Sequence, residues 1–467
     1  MGVDYGRTGQ AGVRLWVARG GMRSARRVGA RSPAGWTQVL LLLALFGLAT
    51  ASLAAPKIES WTTSKGAKVL FVQADTLPML DVRVVFDAGS ARDGEVPGLA
   101  TFTNAMLTEG AGEWDADALA ERVENRGIRL GSGAARDMAW VSLRTLSEPA
   151  TRAVAIDTLA KVLAAPRFDV DAIERIRQQM LIGLRRVKQS PSSIASRRFY
   201  RTLYADHPYA HPSEGTEESV AKIDAGLLRG YHREHYVAAN AVIAMVGAVD
   251  RDTAEQIAEQ VTAQMQRGQH APPLPEVPQV QGGELRQSFP SSQTHIYVGQ
   301  SGMARHDPDY FALYVGNHVL GGSSLVSILG EEVRNKRGLS YSVYSYFSPM
   351  REQGPFAMVA QTKNSQADEA LEVMRDTLEA FIESGPSEEQ LEASKRNIIG
   401  GFPLKIANNG RIVEYIAMIG FYDLPLDWLD TLTDKVAAVD VADVRDAFRR
   451  RIDPAGTIAV VVGGAAD

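Results

Sequence analysis

The sequence of 467 residues carries a formal charge of −5 and contains no cysteine. Beyond residue 54 roughly 410 residues remain, enough for two domains with complete cores, and the lack of cysteine excludes a disulfide framework. Residues 1–54 hold seven Arg and one Asp, so their loss takes the charge to about −11 and argues against nucleic acid as a partner.

Residues 1–54 read as an export signal. Arg23, Arg26, Arg27 and Arg31 form a basic region, residues 39–48 an apolar run, and residues 49–54 a small-residue stretch suited to cleavage after Ala51 or Ala54. The run is short for a membrane span, so a periplasmic chain with no stable membrane insertion is expected. The alternative is an inner-membrane anchor made by an uncleaved signal. The residues before Met22 are atypical of a signal, which makes Met22 an alternative start.

Residues 84–90, ending in Ala88, Gly89 and Ser90, read as the close of a strand, and Gly98-Leu99-Ala100 follows. Residues 171–186 carry the periodicity of a long amphipathic helix that leads into a second one. A helix over 224–236 and an apolar strand over 241–247 come next. The Pro-rich stretch 270–278 reads as a semi-stiff linker. Beyond it the order recurs: 387–401 mirrors 171–186, 441–451 mirrors 224–236, and 457–463 mirrors 241–247. Such duplication predicts two similar domains, residues 55–268 and 284–467, joined by 269–283.

The strand end at Ala88-Gly89-Ser90, the Gly98-Leu99-Ala100 lead-in, the loops at 206–212 and 215–219 and the stretch 320–341 together resemble the insulinase (pitrilysin) family of zinc metallopeptidases, over residues 57–464. The resemblance implies an α+β fold of two homologous domains, each a mostly antiparallel sheet with helices packed on one face. It also implies where an inverted zinc motif, H-x-x-E-H, would lie. The two histidines fall on Thr101 and Ala105, and the general-base glutamate on Asn104. The family's third ligand falls near Leu181 or Ile182, in a stretch with no Asp or Glu between Glu174 and Asp206. Zinc takes imidazole, thiolate or carboxylate donors, and a catalytic site needs about three of them. Threonine, asparagine and alanine do not meet that need, and no histidine precedes His207.

The second half keeps what the first has lost. Arg334 and Tyr341, near Gly338-Leu339, occupy the places from which the family's Arg and Tyr reach the substrate. A guanidinium and a phenol in a water-poor cleft stabilise a peptide carbonyl and the oxyanion that grows from it. The competing reading pairs Arg334 with Glu331, or has it cap a helix, and has Tyr341 merely start a strand. Gly131, Ser132, Gly133 and Ala134 lie where the family places an edge strand that receives substrate in extended form; glycines there equally suit a bulge or turn.

Other patterns carry less. His232-Arg233-Glu234-His235 puts histidines three apart on a helix, yet in the segment that precedes the closing strand. His207 and His211 flank a Pro-containing turn. Gly321-Gly322-Ser323-Ser324 lacks the Gly-Lys-Ser/Thr of a phosphate loop. The basic run from Arg185 to Arg198 faces solvent or an acidic partner.

The expected function is a non-catalytic, peptide-binding subunit with no catalytic residue and no cofactor of its own. Zinc is expected only in a partner, a zinc-bearing insulinase-family subunit whose substrate chamber this chain completes; alone, it would form a homodimer or remain single. Two alternatives differ in class: an autonomous zinc protease using His232, Glu234 and His235, and a purely structural, core-type subunit.

Overall fold

Two sheets organise the computed structural model, which describes residues 57–323 and 326–464; the stretch read as an export signal lies outside them. The first sheet contains β1 (Glu59–Thr62), β2 (Lys68–Gln73) and β3 (Met79–Phe86). After a separate small hairpin, β4 (Gly110–Ala111) and β5 (Trp114–Asp115), it continues with β6 (Arg129–Ala134), β7 (Ala139–Leu146) and β8 (Ala241–Gly247). The second sheet is built from β9 (Gly283–Gln287), β10 (Gln293–Ser301), β11 (Ser340–Phe347), β12 (Pro355–Lys363) and β13 (Ile458–Val462).

The sheets run in the orders β1-β2-β8-β3-β7-β6 and β11-β12-β10-β13-β9. Without β1, the first order maps strand for strand onto the second read backwards. In each sheet a single pair is parallel, β2 with β8 and β9 with β13. The duplication legible in the sequence is therefore a duplication of topology.

Helices of the first half are α1 (Leu99–Met106), α2 (Ala116–Glu124), α3 (Pro149–Ala164), α4 (Val170–Lys188), α5 (Pro191–Tyr204), α6 (Glu217–Lys222), α7 (Ala225–His235) and α8 (Arg251–Thr262). Those of the second are α9 (Tyr310–Asn317), α10 (Ala367–Ser384), α11 (Glu388–Lys405), α12 (Asn409–Phe421), α13 (Trp428–Ala438) and α14 (Val441–Arg451). The closing helices α7 and α14 start alike, with Asp224 and Asp440 accepting the backbone N–H three residues on, which satisfies a donor the first turn leaves free.

Each half lays its own helices on one face of its sheet, and the other face is covered by exchange. Helix α12 of the second half lies across β2, β8 and β3 of the first sheet, where Val413, Ile416 and Ala417 join one core with Leu70, Val85, Val242 and Ala244. Helix α5 of the first half lies on β10 and β13, with Ala195, Phe199 and Leu203 against Tyr297, Val359 and Val460. Gly420 permits the close fit of α12, since a Cβ there would come within 2.5 Å of Leu70 and Val242 side-chain atoms. This explains why β8 and β13 are buried at every residue: apolar on both faces, they are central strands of sheets covered twice. Separating the halves would expose both cores, and they form one compact unit.

A buried polar knot fixes the same junction. Asp137, 4% exposed, accepts hydrogen bonds from the Tyr209 and Tyr422 hydroxyls and, at 2.7 Å, from the Arg351 N–H. The linker is held as well: Leu274 is buried against the α5 cluster and the Pro275 carbonyl accepts from His207 Nε2 at 2.9 Å. Among the described residues no helix is long and apolar enough to cross a membrane.

Candidate functional site

Helix α1 carries the positions where zinc ligands are missing, and its start is tightly built. Asp93, buried, accepts the Gly98 and Ala100 N–H groups at 2.7 Å each. Gly98 adopts φ 94°, and a Cβ on it would sit 2.9 Å from the Gly215 Cα. The Ser219 hydroxyl donates to the Pro97 carbonyl at 2.6 Å. The two glycine-led stretches singled out in the sequence thus meet here, each fixing the other's backbone.

On that helix, Thr101 Oγ1 donates to the Ser213 carbonyl at 2.6 Å. Asn104 is 1% exposed, and its Nδ2 donates to the Trp140 carbonyl and to the Tyr236 hydroxyl oxygen, each at 3.2 Å. Burial pushes the Tyr236 phenol above its ordinary pKa. Ala105 offers a methyl group packed against the core, as does the Leu181 side chain, while Ile182 is 49% exposed. The set does not fit zinc. It supplies one hydroxyl and one amide already committed to protein partners, and hydrocarbon elsewhere, where the metal needs nitrogen, sulfur or carboxylate donors. Among the described residues no group of three or more His, Asp or Glu could hold a metal ion.

His232 and His235 turn to separate tasks. His232 Nε2 donates to the Leu163 carbonyl at 2.8 Å and its ring stacks on Tyr236. His235 packs against the Tyr231 ring, with the Glu234 carboxylate 4.0 Å away on the surface. Burial lowers the pKa of both imidazoles. His207 accepts the Tyr209 N–H at Nδ1 and serves the loop. In the basic run, Lys188 and Arg197 pair with Glu217 and Glu214.

The structure brings Arg334 and Tyr341 together. Arg334 lies in a π-helical turn, Gly330–Asn335, and its guanidinium carbon stands 4.7 Å from the Tyr341 ring centre. Glu331 accepts from Asn335 Nδ2 instead of pairing with Arg334. In β11, Ser340 opposes Thr362 and Ser342 opposes Gln361, so Tyr341 is the extra residue of a bulge. A bulge re-aims a side chain out of the strand's alternation, and Tyr341 is 84% exposed. Neither side chain has a hydrogen-bond or ion-pair partner among the described residues.

Strand β6, with Gly131, Ser132, Gly133 and Ala134, is the edge of the first sheet and pairs with β7 without a register shift. Gly133 faces Trp140, and a Cβ on it would lie 2.4 Å from the indole. That ring, not a bulge, accounts for the glycine. Helix α1 lies beside β6, and Asn104 reaches the Trp140 carbonyl. No described hydrogen bond, ion pair or ring contact joins Arg334 or Tyr341 to α1 or β6. Sequence reasoning passed over Asp93 and Asp137; a lone acid beside a glycine-rich turn was the only sign of the first.

Residues 68–217 match the family model of insulinase (peptidase family M16), and residues 222–398 that of the peptidase M16 inactive domain. A crystal structure of a peptidase M16 inactive domain from Pseudomonas fluorescens is similar at a TM-score of 0.85 and 39% identity, covering 88% of this chain and 98% of that one. The non-peptidase homolog YmxG of Helicobacter pylori is 25% identical over 418 residues, 88% of this chain and 94% of that protein. An uncharacterized zinc protease of Bacillus subtilis, also called YmxG, is 25% identical over 362 residues, 76% of this chain and 87% of the other.

Proposed function

The chain belongs to the insulinase (M16) family of peptidases, as a non-catalytic member, and from that premise we propose that it is the peptide-binding subunit of a two-chain zinc protease exported to the periplasm. Its partner is a relative that bears the zinc motif, and the metal resides there. The observation that carries the reading is the pair Arg334 and Tyr341, the guanidinium lying over the ring of an exposed tyrosine, with neither side chain hydrogen-bonded or ion-paired among the described residues. A cation and a neutral O–H held together in this way suit a peptide carbonyl as it gains charge. Edge strand β6, with one side unpaired in the sheet order, suits the extended backbone of the same peptide.

The test is to purify the chain alone and with a zinc-motif relative encoded beside it. Alone, it is expected to show no chelator-sensitive cleavage of peptides; together, the pair cleaves. Arg334→Ala and Tyr341→Phe are expected to lower that activity by about tenfold or more, the least that loss of an oxyanion donor removes. Chelator-sensitive cleavage by the chain alone overturns the reading, and unchanged activity of both variants replaces it with a purely structural role.

A further inference from the structure

Helix α12 packs chiefly on β2, β8 and β3 rather than on β7 and β6. This leaves a pocket of about 260 Å³ between the helix and the edge of the first sheet, whose wall includes Asp81, Arg83, Arg129, Gly131, Arg144 and Glu414. Its charges are incompletely matched. Arg144 Nε donates to Asp81 Oδ1 at 2.8 Å, yet Asp81 Oδ2, itself closed to solvent in a residue 6% exposed, has no hydrogen-bond partner among the described residues. Arg83 lies over the Trp140 ring and reaches Glu414 only at 3.5 Å. Arg129, at the start of β6, has no ion-pair or hydrogen-bond partner among the described side chains. Burial raises the Asp81 carboxyl and lowers the Arg83 guanidinium in spite of their neighbours, as charges short of partners do.

Two demands follow from this inventory. The spare guanidinium N–H groups call for an anion, and the orphaned carboxylate oxygen calls for a donor beside it. The last residue of a peptide meets both, since its carboxylate and its own amide N–H are separated by a single Cα. A side-chain carboxylate brings no donor at that spacing. Gly131 keeps the floor low, and Gly410 leaves room for Arg144, whose Nη2 a Cβ there would approach to 2.7 Å.

We propose that this pocket captures the carboxyl-terminal residue of a peptide, with Arg83 and Arg129 on the carboxylate and with the Asp81 carboxylate turning from its closed position to accept the amide N–H. The proposal deepens the peptide-binding reading and rests on it for the path of the chain along β6.

Binding of a fluorescent peptide to the exported chain would be compared for three forms: a free carboxyl end, an amidated end, and an amidated end with glutamate as last residue. The free acid is expected to bind about tenfold or more tightly than either amide, the scale of one charge-assisted contact. Arg129→Ala, at an exposed position, and Arg83→Gln should each abolish the preference, while Arg334→Ala retains it. Equal binding of acid and amide overturns the proposal, as does recovery by the glutamate form. A preference that survives Arg129→Ala and vanishes in Arg334→Ala also overturns it, yet leaves the peptide-binding reading intact. Failure of every form to bind removes both.

Discussion

Helix α1 and the Arg334–Tyr341 turn are the two places where chemistry was expected from the sequence, and they differ in how their polar groups are used. On α1, the Asn104 amide is buried and divided between Trp140 and Tyr236, Thr101 is tied to Ser213, and Ala105 packs its methyl group against the core, as Leu181 of α4 does with its side chain. At the turn, the Arg334 guanidinium lies over the Tyr341 ring, and among the described residues neither side chain has a hydrogen-bond or ion-pair partner. A catalytic pocket stripped of ligands becomes packing, because a buried polar atom must find a partner or be replaced by an apolar one. Tyr341, 84% exposed, has not been absorbed in that way.

The strongest way to break that comparison is Asn104→Glu, which returns the family's acid to its place. If α1 retained a roomy, hydrated pocket, the change would be mild. Instead the carboxylate would be buried against the Trp140 carbonyl with no cation to meet it, and a loss of about 3 to 5 kcal/mol in urea denaturation is expected. Stability equal to the unaltered chain would mean that the site is vacant rather than refitted.

A second test concerns the start of the same helix. Burial pushes the Asp93 carboxyl up to about 7, although the Ala100 and Gly98 N–H groups pull the other way. A carboxyl that keeps its proton to higher pH in the folded chain contributes stability that is whole below its ordinary value and is lost as pH climbs through about 7. Denaturant unfolding between about pH 4 and 8 should show that decline, up to roughly 4 kcal/mol for a shift of this size. Asp93→Asn should flatten the decline and cost about 1 kcal/mol as a weakened cap. A pH profile identical in the two chains would show that Asp93 does not titrate there.

How much of this was legible depends on the range over which each interaction acts. The duplicated order of elements was, because amphipathic periods and apolar runs are local: the stretches 241–247 and 441–451 are strand and helix as read. The missing ligands and the Arg334/Tyr341 spacing were legible for the same reason. The exchange of α5 and α12 was not, since periodicity says that one helix face is buried and is silent about which sheet buries it. Asp137 was invisible because its partners Tyr209 and Tyr422 lie 72 and 285 residues away. The bulge that turns Tyr341 outward depends on how β11 registers with β12, which side-chain types do not encode.

Strand β6 lies between the two extremes, and Gly133→Ala measures how far its glycines serve packing. The added methyl would enter the Trp140 ring, and overpacking of that kind costs about 1 to 3 kcal/mol. Gly131→Ala meets only the Ser142 hydroxyl, at 3.4 Å, and should cost less than about 1 kcal/mol. If both changes were silent in thermal unfolding, the ring would not be what holds Gly133.

The smallest expected effect is the most informative. Arg334→Ala and Tyr341→Phe remove groups that no part of the described chain uses beyond their mutual stacking, which at an exposed position is worth about 0.5 to 1 kcal/mol. Tyr341→Phe keeps the ring and should therefore change stability by less than about 0.5 kcal/mol, and Arg334→Ala by no more than the stacking energy. A larger loss in denaturant unfolding would mean that the turn is structural after all and that both regions have gone the same way. A silent result keeps them apart: α1 invests its polar atoms in folding, and the turn leaves the Arg334 and Tyr341 side chains out of it.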